Sequence, residues 1–268
     1  MAPRAVGGCA YAGPMADGPM QPQPAGVPGH LTLRVLGCDG SWTGPAGAGS
    51  GYLVSSGGTH VLVDLGPGTF ATLQTSLDPA LVAAVVITHR HPDHWTDLYS
   101  LVTHAQFALH RESLPVFAPS EMAERTGLIG SPVLDWHRVA DGDSTKVGAL
   151  ALSFHRTEHG VETLAVRIDG AGRALGYSAD TGPGWSLAEL GTGLDLVLCE
   201  ASYTADHEGT AGHMSGRQAG EQASRAGARR LVLTHRWPTV SAASVAAEAN
   251  ASFGGRVEQA EIGKEFVL

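Results

Sequence analysis

Apolar and polar positions alternate or cluster in patterns that divide the chain into strands from about His30 onward. Alternation predicts a strand with one buried face, and a short continuous apolar run predicts a strand buried on both faces. The run Leu81 to Ile87 is of the second kind. The predicted strands are 31–36, 51–55, 60–65, 81–87, 115–118, 149–154, 162–168, 173–177, 194–199, 230–233 and a last one near Phe266.

Helical spacing of apolar residues alternates with these strands in the second half of the chain. A glycine-rich loop and a Ser-Gly-Gly turn at 56–58 join the first three strands, which predicts a β-meander. This order favours an α/β protein, an αββα sandwich of two packed mixed β-sheets flanked by helices. The predicted helices are 69–76, 95–110, 215–226 and 242–251.

The amino-terminal residues differ in composition from the rest of the chain. Residues 1–29 are rich in Pro, Gly and Gln and hold too little apolar content to offset the entropy cost of ordering. We therefore expect a flexible leader at 1–29 and one folded domain at 30–268. Cys9, Cys38 and Cys199 have no paired spacing. With no secretory pattern and no apolar run near the roughly 20 residues of a membrane span, we expect a cytoplasmic protein without a membrane partner.

The charge balance restricts the class of partner. Seventeen basic and 26 acidic residues give a formal net charge of −9, which repels polyanions. The densest basic cluster is Arg229 and Arg230, at the start of a predicted strand. These features argue against a long nucleic acid and favour a small-molecule substrate.

The loop after the buried strand 81–87 concentrates side chains that bind metals. It reads Thr-His-Arg-His-Pro-Asp-His from Thr88 to His94, which places four potential ligands within six residues. A tight loop can direct several side chains at one point, and imidazole with carboxylate suits zinc or iron. The loop therefore predicts a metal site.

This loop resembles the His-x-His-x-Asp-His signature of the metallo-β-lactamase superfamily. Further residues follow in the superfamily's order, each after a predicted strand: His159, Asp180 and His235. Alone, each of them is more typical of a hydrogen-bonded polar residue than of a ligand. The resemblance extends from about Leu31 to the carboxyl terminus and implies the metallo-β-lactamase fold. It also implies two ligand sets and a bridge: His89, His91 and His159; Asp93, His94 and His235; and Asp180 between them.

A pair of metal ions implies a hydrolytic mechanism. Two divalent ions about 3.5 to 4 Å apart lower the pKa of water toward neutrality and stabilise both the attacking and the leaving oxygen. We expect a bridging hydroxide as nucleophile, oriented by Asp93. Zn²⁺ is the first expectation, with Mn²⁺ or Fe²⁺ as alternatives, because N/O ligands accept all three. Asp64, at the end of strand 60–65, either hydrogen-bonds the histidine loop or caps the helix that begins near Thr69.

Two downstream motifs resemble the phosphodiesterase branch of the superfamily, which includes ribonuclease Z. They are Glu-Ala-Ser-Tyr at 200–203 and His-Met-Ser-Gly at 213–216, and Leu-Gly-Cys-Asp-Gly-Ser at 36–41 resembles the opening of that branch. The resemblance implies that His213 is a general acid for the leaving group, oriented by Glu200, which raises its pKa. The alternative is that Ser215 only caps a helix and His213 is solvated.

The spacing of the ligands bears on substrate size. In ribonuclease Z the arm that grips tRNA is inserted between the positions of His159 and Asp180, and here only 20 residues separate them. We expect a small phosphodiester, first a cyclic nucleotide, because the order of motifs resembles actinobacterial-type cyclic-nucleotide phosphodiesterases of this fold. A ribonuclease Z-like RNA endonuclease is an alternative.

A further alternative is hydrolysis of a lactone, ester or thioester on the same metals. Lactonases of the superfamily place a tyrosine shortly after the bridging Asp, whereas Thr181, Gly182 and Pro183 follow here. Tyr177 or Tyr203 can still reach the site from another direction. The resemblance also makes a homodimer plausible. Four tryptophans can stack on a base, although scattered tryptophans more often pack: Trp42, Trp95, Trp136 and Trp185.

Overall fold

Two seven-stranded β-sheets form the centre of the structure, a computed structural model that describes residues 26–268. The strands are β1 Thr32–Gly37, β2 Gly51–Ser56, β3 Thr59–Leu65, β4 Val82–Val86, β5 Leu114–Ala118, β6 Leu134–Arg138, β7 Ser144–Val147, β8 Leu150–Arg156, β9 Leu164–Gly170, β10 Arg173–Tyr177, β11 Leu196–Glu200, β12 Arg230–Thr234, β13 Arg256–Gln259 and β14 Glu265–Val267. The helices are α1 Thr69–Gln74, α2 Leu98–Phe107, α3 Met122–Arg125, α4 Gly216–Arg225 and α5 Ala242–Phe253.

Each sheet combines antiparallel and parallel strands. The first sheet has the order β14-β1-β2-β3-β4-β5-β6, in which β1, β2 and β3 form the predicted meander and β3 to β6 are parallel. The second has the order β13-β12-β11-β10-β9-β8-β7, parallel from β13 to β10 and antiparallel from there to β7. The carboxyl-terminal β14 returns to pair with β1.

Apolar side chains fill three layers between and outside the sheets. The inner faces of both sheets meet in one cluster that contains Tyr52 and Phe154. A second cluster joins the first sheet to α1 and α2, and a third joins the second sheet to α4 and α5. Each fully buried Leu, Val or Phe contributes about 1.5 to 3 kcal/mol to folding. These layers confirm the expected αββα sandwich of mixed sheets.

The hairpin between β2 and β3 turns at the expected glycines. Gly57 and Gly58 have φ angles of 55° and 77°. A two-residue hairpin turn with both central φ angles positive matches the twist of its strands and strongly favours glycine. The register between β2 and β3 is set by this turn.

Four short elements were not anticipated from the apolar pattern: α3, β6, β7 and β13. The three strands lie at sheet edges, where β6 has a single buried side chain and β7 and β13 have none. An edge strand with few buried positions has no strong apolar period to detect. The predicted helix 95–110 begins later, at Leu98, because Pro92–His94 forms a separate 3₁₀ turn.

Part of the predicted leader at 1–29 lies outside the described residues, which begin at Gly26. Val27 to His30 form a turn closed by the His30 backbone N–H, which donates to the Val27 carbonyl. Within residues 26–268, no helix has the length and apolar character needed to cross a membrane.

Candidate metal centre

Four strands from the two sheets end at one place and carry the predicted ligands there. The loop 89–94 follows β4, His159 follows β8, Asp180 follows β10, and His235 directly follows β12. The structure brings all seven predicted metal ligands together as two groups, each with ligand atoms within 4.8 Å of one another. Both sheets therefore contribute to one centre.

The two carboxylate oxygens of Asp180 face different histidines. Its Oδ2 lies 3.5 Å from His89 Nε2 and 3.8 Å from His159 Nε2. Its Oδ1 lies 3.2 Å from His94 Nε2 and 3.3 Å from His235 Nε2. Asp180 is therefore the residue that would be shared if each set of histidines held a cation.

His91 and Asp93 complete the two groups. His91 Nδ1 lies 3.1 Å from both His89 Nε2 and His159 Nε2. Asp93 Oδ2 lies 3.3 Å from His235 Nε2. In each group, several imidazole nitrogens or carboxylate oxygens therefore lie within 3.1 to 3.8 Å of one another.

Buried atoms at the centre lack hydrogen-bond partners. His94 Nε2 and Asp180 Oδ1 are both inaccessible to solvent and form no hydrogen bond. A buried polar atom without a partner costs about 1 to 3 kcal/mol, which a coordinated cation offsets. Imidazole nitrogen and carboxylate oxygen are ligands for Zn²⁺ and similar ions. The residues present fit a divalent metal.

The electrostatics favour the metal-binding protonation state at His89 and Asp180 but not at His94. Burial alone would lower the pKa of His94, but the nearby carboxylates, Asp180 first, outweigh it and raise that pKa well above its usual value. Burial lowers the pKa of His89 to about 4, and the neighbouring His94 adds to this effect. Burial opposes ionisation of Asp180, but His235, His94 and His89 outweigh it and hold the pKa of that carboxyl well below its usual range. A neutral imidazole and an ionised carboxylate are the ligand forms.

Asp64 lies beneath the histidine loop. Its Oδ2 is 2.7 Å from His94 Nδ1 and accepts a hydrogen bond of 3.0 Å from the Tyr177 hydroxyl. The backbone N–H of Thr88 donates to Oδ1 at 2.8 Å. Helix α1 instead begins after Gly68, with no side-chain cap. The structure thus supports the loop contact of Asp64 and not the capping alternative.

His213 and Glu200 form a pair at the border of the metal centre. His213 Nδ1 lies 3.1 Å from Glu200 Oε1, and the His213 ring stacks on that of His235 with centroids 5.1 Å apart. Glu200 is fully buried and also accepts hydrogen bonds from the Thr181 N–H and the Ser202 hydroxyl. Burial alone would lower the pKa of His213, but the Glu200 carboxylate outweighs it and raises that pKa to about 9.

The alternative interpretation of the 213–216 motif had two parts: Ser215 caps a helix, which is correct, and His213 is solvated, which is wrong. Ser215 caps α4 in a capping box with Gln218, so the helix-start prediction holds. His213, however, is not solvated, because only 12% of its side chain is exposed. The two features coexist, since the cap fixes the backbone that carries His213.

Residues 59–236 match the family model described as the beta-lactamase superfamily domain. The chain belongs to the metallo-β-lactamase superfamily. An uncharacterized protein of Mycobacterium tuberculosis is 38% identical over 242 residues, 85% of this chain and 88% of that protein. Ribonuclease Z of Kineococcus radiotolerans is 29% identical over an alignment of 286 residues, 84% of this chain and 90% of that protein.

A solved structure shows the same fold. The probable metallo-hydrolase YhfI of Bacillus subtilis is 29% identical over 243 residues, 87% of this chain and 98% of that protein. Its crystal structure has a TM-score of 0.83 at 28% identity and covers 89% of this chain and 99% of that one. The protein is thus a metal-dependent hydrolase of the metallo-β-lactamase superfamily, and this fold implies divalent metal ions at the His/Asp clusters.

Backbone strain accumulates at the centre of this metallo-β-lactamase fold. Seven non-glycine residues in the described part of the chain have positive φ, and four of them lie here. Such conformations cost of order 1 to 3 kcal/mol and concentrate at functional sites. The four are Ser41 at 63°, Asp64 at 57°, Ala179 at 51° and His235 at 55°.

Close backbone approach explains Gly40 of the glycine-rich loop. A Cβ atom there would lie 2.2 Å from the His235 carbonyl oxygen. The Gly40 N–H also donates to the Arg236 carbonyl at 3.0 Å. The absence of a side chain at Gly40 therefore lets two backbone segments approach beside His235, a predicted ligand.

Three residues of the centre were not anticipated from the sequence. The Ser41 backbone N–H donates to Asp93 Oδ2 at 2.8 Å, and Ser202 Oγ lies 3.1 Å from His235 Nδ1. The Trp237 indole N–H donates to Ser41 Oγ at 3.2 Å. Two features of the sequence could have indicated them: the pair Gly40-Ser41 in the opening motif, and Trp237, two residues after the predicted ligand His235.

Proposed function

We propose that this hydrolase is a dinuclear-metal phosphodiesterase that cleaves a small phosphodiester such as a cyclic nucleotide. The observation that carries the proposal is the contact of His213 Nδ1 with the buried Glu200 carboxylate at the edge of the metal centre, which raises the pKa of His213 and so supports its role as an acid. An alkoxide leaving group needs a proton, and a positioned acid contributes about 10²- to 10⁴-fold to such a reaction. Similarity to a ribonuclease Z, a class that cleaves phosphodiester bonds, supports the same chemistry.

Two divalent ions are the proposed cofactors, Zn²⁺ first and Mn²⁺ or Fe²⁺ as alternatives. When bound, they lower the pKa of water toward neutrality and stabilise negative charge on the reacting oxygens. The proposed ligands are one set of His89, His91 and His159, a second of Asp93, His94 and His235, and Asp180 shared by both.

Asp93 is the proposed orienting group for the attacking water. Burial opposes its ionisation, but His94 and His235 outweigh it and hold the pKa of Asp93 below its usual range. The hydrogen bond from the Ser41 N–H fixes Oδ2. An ionised, fixed carboxylate can accept a hydrogen bond from the attacking water and so direct a lone pair of the water oxygen toward phosphorus.

His213 is the proposed general acid. Glu200 occupies the Nδ1 side of the ring, which leaves Nε2 to face the reacting groups. As the bond between phosphorus and the leaving oxygen breaks, the Nε2 proton passes to that oxygen. Glu200 stabilises the protonated ring before the transfer and orients it.

The position of two tyrosines disfavours the lactone, ester or thioester alternative. The Tyr177 hydroxyl donates to Asp64 beneath the centre, and the Tyr203 hydroxyl donates to the carbonyls of Ala211 and His213. Neither hydroxyl is directed at the metal cluster, so neither can polarise a substrate carbonyl there. These two positions therefore do not supply the tyrosine that lactonases of the superfamily use.

The segment between His159 and Asp180 supports a small substrate. It consists of β9 and β10, joined at Ala171 and Gly172, as the spacing predicted. These residues leave no room for an inserted arm, and the net charge of −9 repels RNA. Both facts disfavour a ribonuclease Z-like endonuclease and support the proposal of a small-molecule partner.

A cytoplasmic location and a homodimer also belong to the proposal. Cys38 and Cys199 carry free thiols in the described residues. A reducing compartment preserves such thiols.

The test is turnover of cyclic AMP and of bis(p-nitrophenyl) phosphate by the full-length, metal-loaded protein and its His213→Ala variant. We expect the unmodified protein to cleave both substrates. The variant should lose roughly 10²- to 10⁴-fold in kcat on cyclic AMP and less on the nitrophenyl ester, whose leaving group needs no proton.

Metal content measured by mass spectrometry should remain unchanged in His213→Ala. His137→Ala is the matched control, since His137 lies on the edge strand β6. Equal activity of His213→Ala and wild type on cyclic AMP would show that His213 is not the acid.

A further inference from the structure

A cleft of about 410 Å³ lies beside the metal centre and has two tryptophans in its wall. The indole rings of Trp42 and Trp237 contact one another, with centroids 5.7 Å apart and planes tilted by 38°. Trp42 is 45% exposed, which is unusual for so large an apolar side chain. The volume falls within the range of small-molecule sites. The remaining lining residues are Thr204, His207, Thr239, Val240, Ser241 and Ser244.

Both tryptophans are linked through Ser41 to Asp93, one of the proposed catalytic groups. Trp42 follows Ser41, whose N–H donates to Asp93. The Trp237 indole N–H donates to Ser41 Oγ, and the Trp237 ring lies 6.5 Å from the His213 ring. These contacts place the tryptophan side of the cleft next to the proposed catalytic groups.

The rest of the cleft lining is mixed. It contains the hydroxyl-bearing residues Thr204, Thr239, Ser241 and Ser244 and the imidazole of His207, together with the apolar Val240. An aromatic wall facing hydrogen-bonding groups suits a flat heterocycle with polar edges, because the ring face stacks while the edges find donors and acceptors. An alkyl or acyl chain would instead require an apolar lining.

We infer that Trp42 and Trp237 form a base-binding subsite, in which the purine or pyrimidine of a nucleoside phosphodiester stacks on the indole wall while its phosphate lies at the metal centre. This inference rests on the proposed function and narrows its substrate class from small phosphodiesters to nucleotides. Tyr203 packs edge-on against Trp237 with centroids 5.4 Å apart and holds that ring in place. Trp42 and Trp237 are thus the proposed specificity residues.

The experiment compares the binding of AMP and of ribose 5-phosphate to the full-length, metal-loaded protein by calorimetry. The two ligands share the phosphate and the sugar, and only AMP has a base. Stacking of one base on an aromatic side chain corresponds to roughly a 5- to 100-fold gain in affinity. We expect AMP to bind more tightly by a factor in this range.

Trp42→Ala should remove most of that ratio and leave the affinity for ribose 5-phosphate unchanged, which also shows that the variant is folded. Trp237→Phe should retain the ratio better than Trp237→Ala, because a phenyl ring still stacks. Trp136→Ala is the matched control, since Trp136 lies on the edge strand β6 and its indole N–H donates a hydrogen bond to the Leu128 carbonyl. It should keep the full ratio.

Equal affinity of the wild type for the two ligands, or an unchanged ratio in Trp42→Ala, would overturn the subsite. The measurement needs no turnover, so it separates the two proposals. A retained ratio without hydrolysis of cyclic AMP supports the subsite and contradicts the proposed reaction. Hydrolysis without a ratio contradicts the subsite alone.

Discussion

Asp64 Oδ2 lies 2.7 Å from His94 Nδ1, and both side chains are fully buried. The same carboxylate accepts hydrogen bonds from Thr88 and Tyr177, so it joins β3 to the loop after β4 and to β10. Its bond to Nδ1 fixes the His94 ring with Nε2 directed at Asp180, 3.2 Å away. A residue outside the proposed ligand set thereby determines how a ligand is presented.

Replacing Asp64 with Asn should weaken metal binding while the fold persists. The amide keeps the size of the carboxylate but loses the charge that holds the His94 ring, a change that typically costs 10- to 100-fold in metal affinity. Competition with a chromophoric chelator measures the effect. Asp78→Asn is the control, because Asp78 only caps an exposed 3₁₀ turn. Equal affinities in the two variants would contradict this role of Asp64.

Glu200→Gln should shift the pH dependence of phosphodiester hydrolysis. Burial alone lowers the pKa of His213, and the Glu200 carboxylate raises it to about 9. A general acid is active below its pKa, so activity should fall as the pH rises through the pKa that His213 has in the metal-loaded protein. Without the carboxylate the pKa falls, and the alkaline decline should move to lower pH.

The profile of kcat/KM for cyclic AMP, recorded at fixed metal content, measures this shift. Bound metal ions lower the pKa of His213 in both proteins, so the direction of the difference is the test. An alkaline decline at the same pH in Glu200→Gln and wild type would refute the assigned role of Glu200.

Gly40→Ala should destabilise the protein through a steric conflict. The new Cβ would lie 2.2 Å from the His235 carbonyl oxygen, so the backbone beside a proposed ligand must move. Overpacking of this kind costs about 1 to 3 kcal/mol. Thermal unfolding should show a Tm lower by several degrees. Gly130→Ala is the matched control, with no atom within 4 Å of its Cβ, and a Gly40→Ala Tm equal to that of the control would contradict the argument.

Metal removal should lower the Tm and restoration should recover it. The apo centre leaves His94 Nε2 and Asp180 Oδ1 buried without partners, and a ligand at 1,000 times its Kd stabilises the folded state by about 4.1 kcal/mol. Thermal unfolding with EDTA and then with excess Zn²⁺ measures both changes. Asp180→Asn should respond little to Zn²⁺. A zinc response as large as that of the wild type would argue against Asp180 as a shared ligand.

The sequence predicted those parts of the molecule whose physical cause is local. The buried run of β4 and the ligand-dense loop after it are local patterns, and both were identified with the correct ends to within two residues. The edge strand β6 has a single buried side chain and β7 and β13 have none, so these strands leave no such pattern. Ser41 contacts Asp93 and Trp237, which lie 52 and 196 residues away in the sequence. No local sequence pattern predicts such distant contacts.

The most direct test of the account is the kcat/KM of one metal-loaded preparation on cyclic AMP, a precursor tRNA and a lactone, measured side by side. The proposed acid, the short segment before Asp180 and the charge of −9 predict efficient hydrolysis of cyclic AMP, with little turnover of the other two. Efficient turnover of the lactone without that of cyclic AMP would contradict the phosphodiesterase assignment, and efficient cleavage of the tRNA would contradict the small substrate.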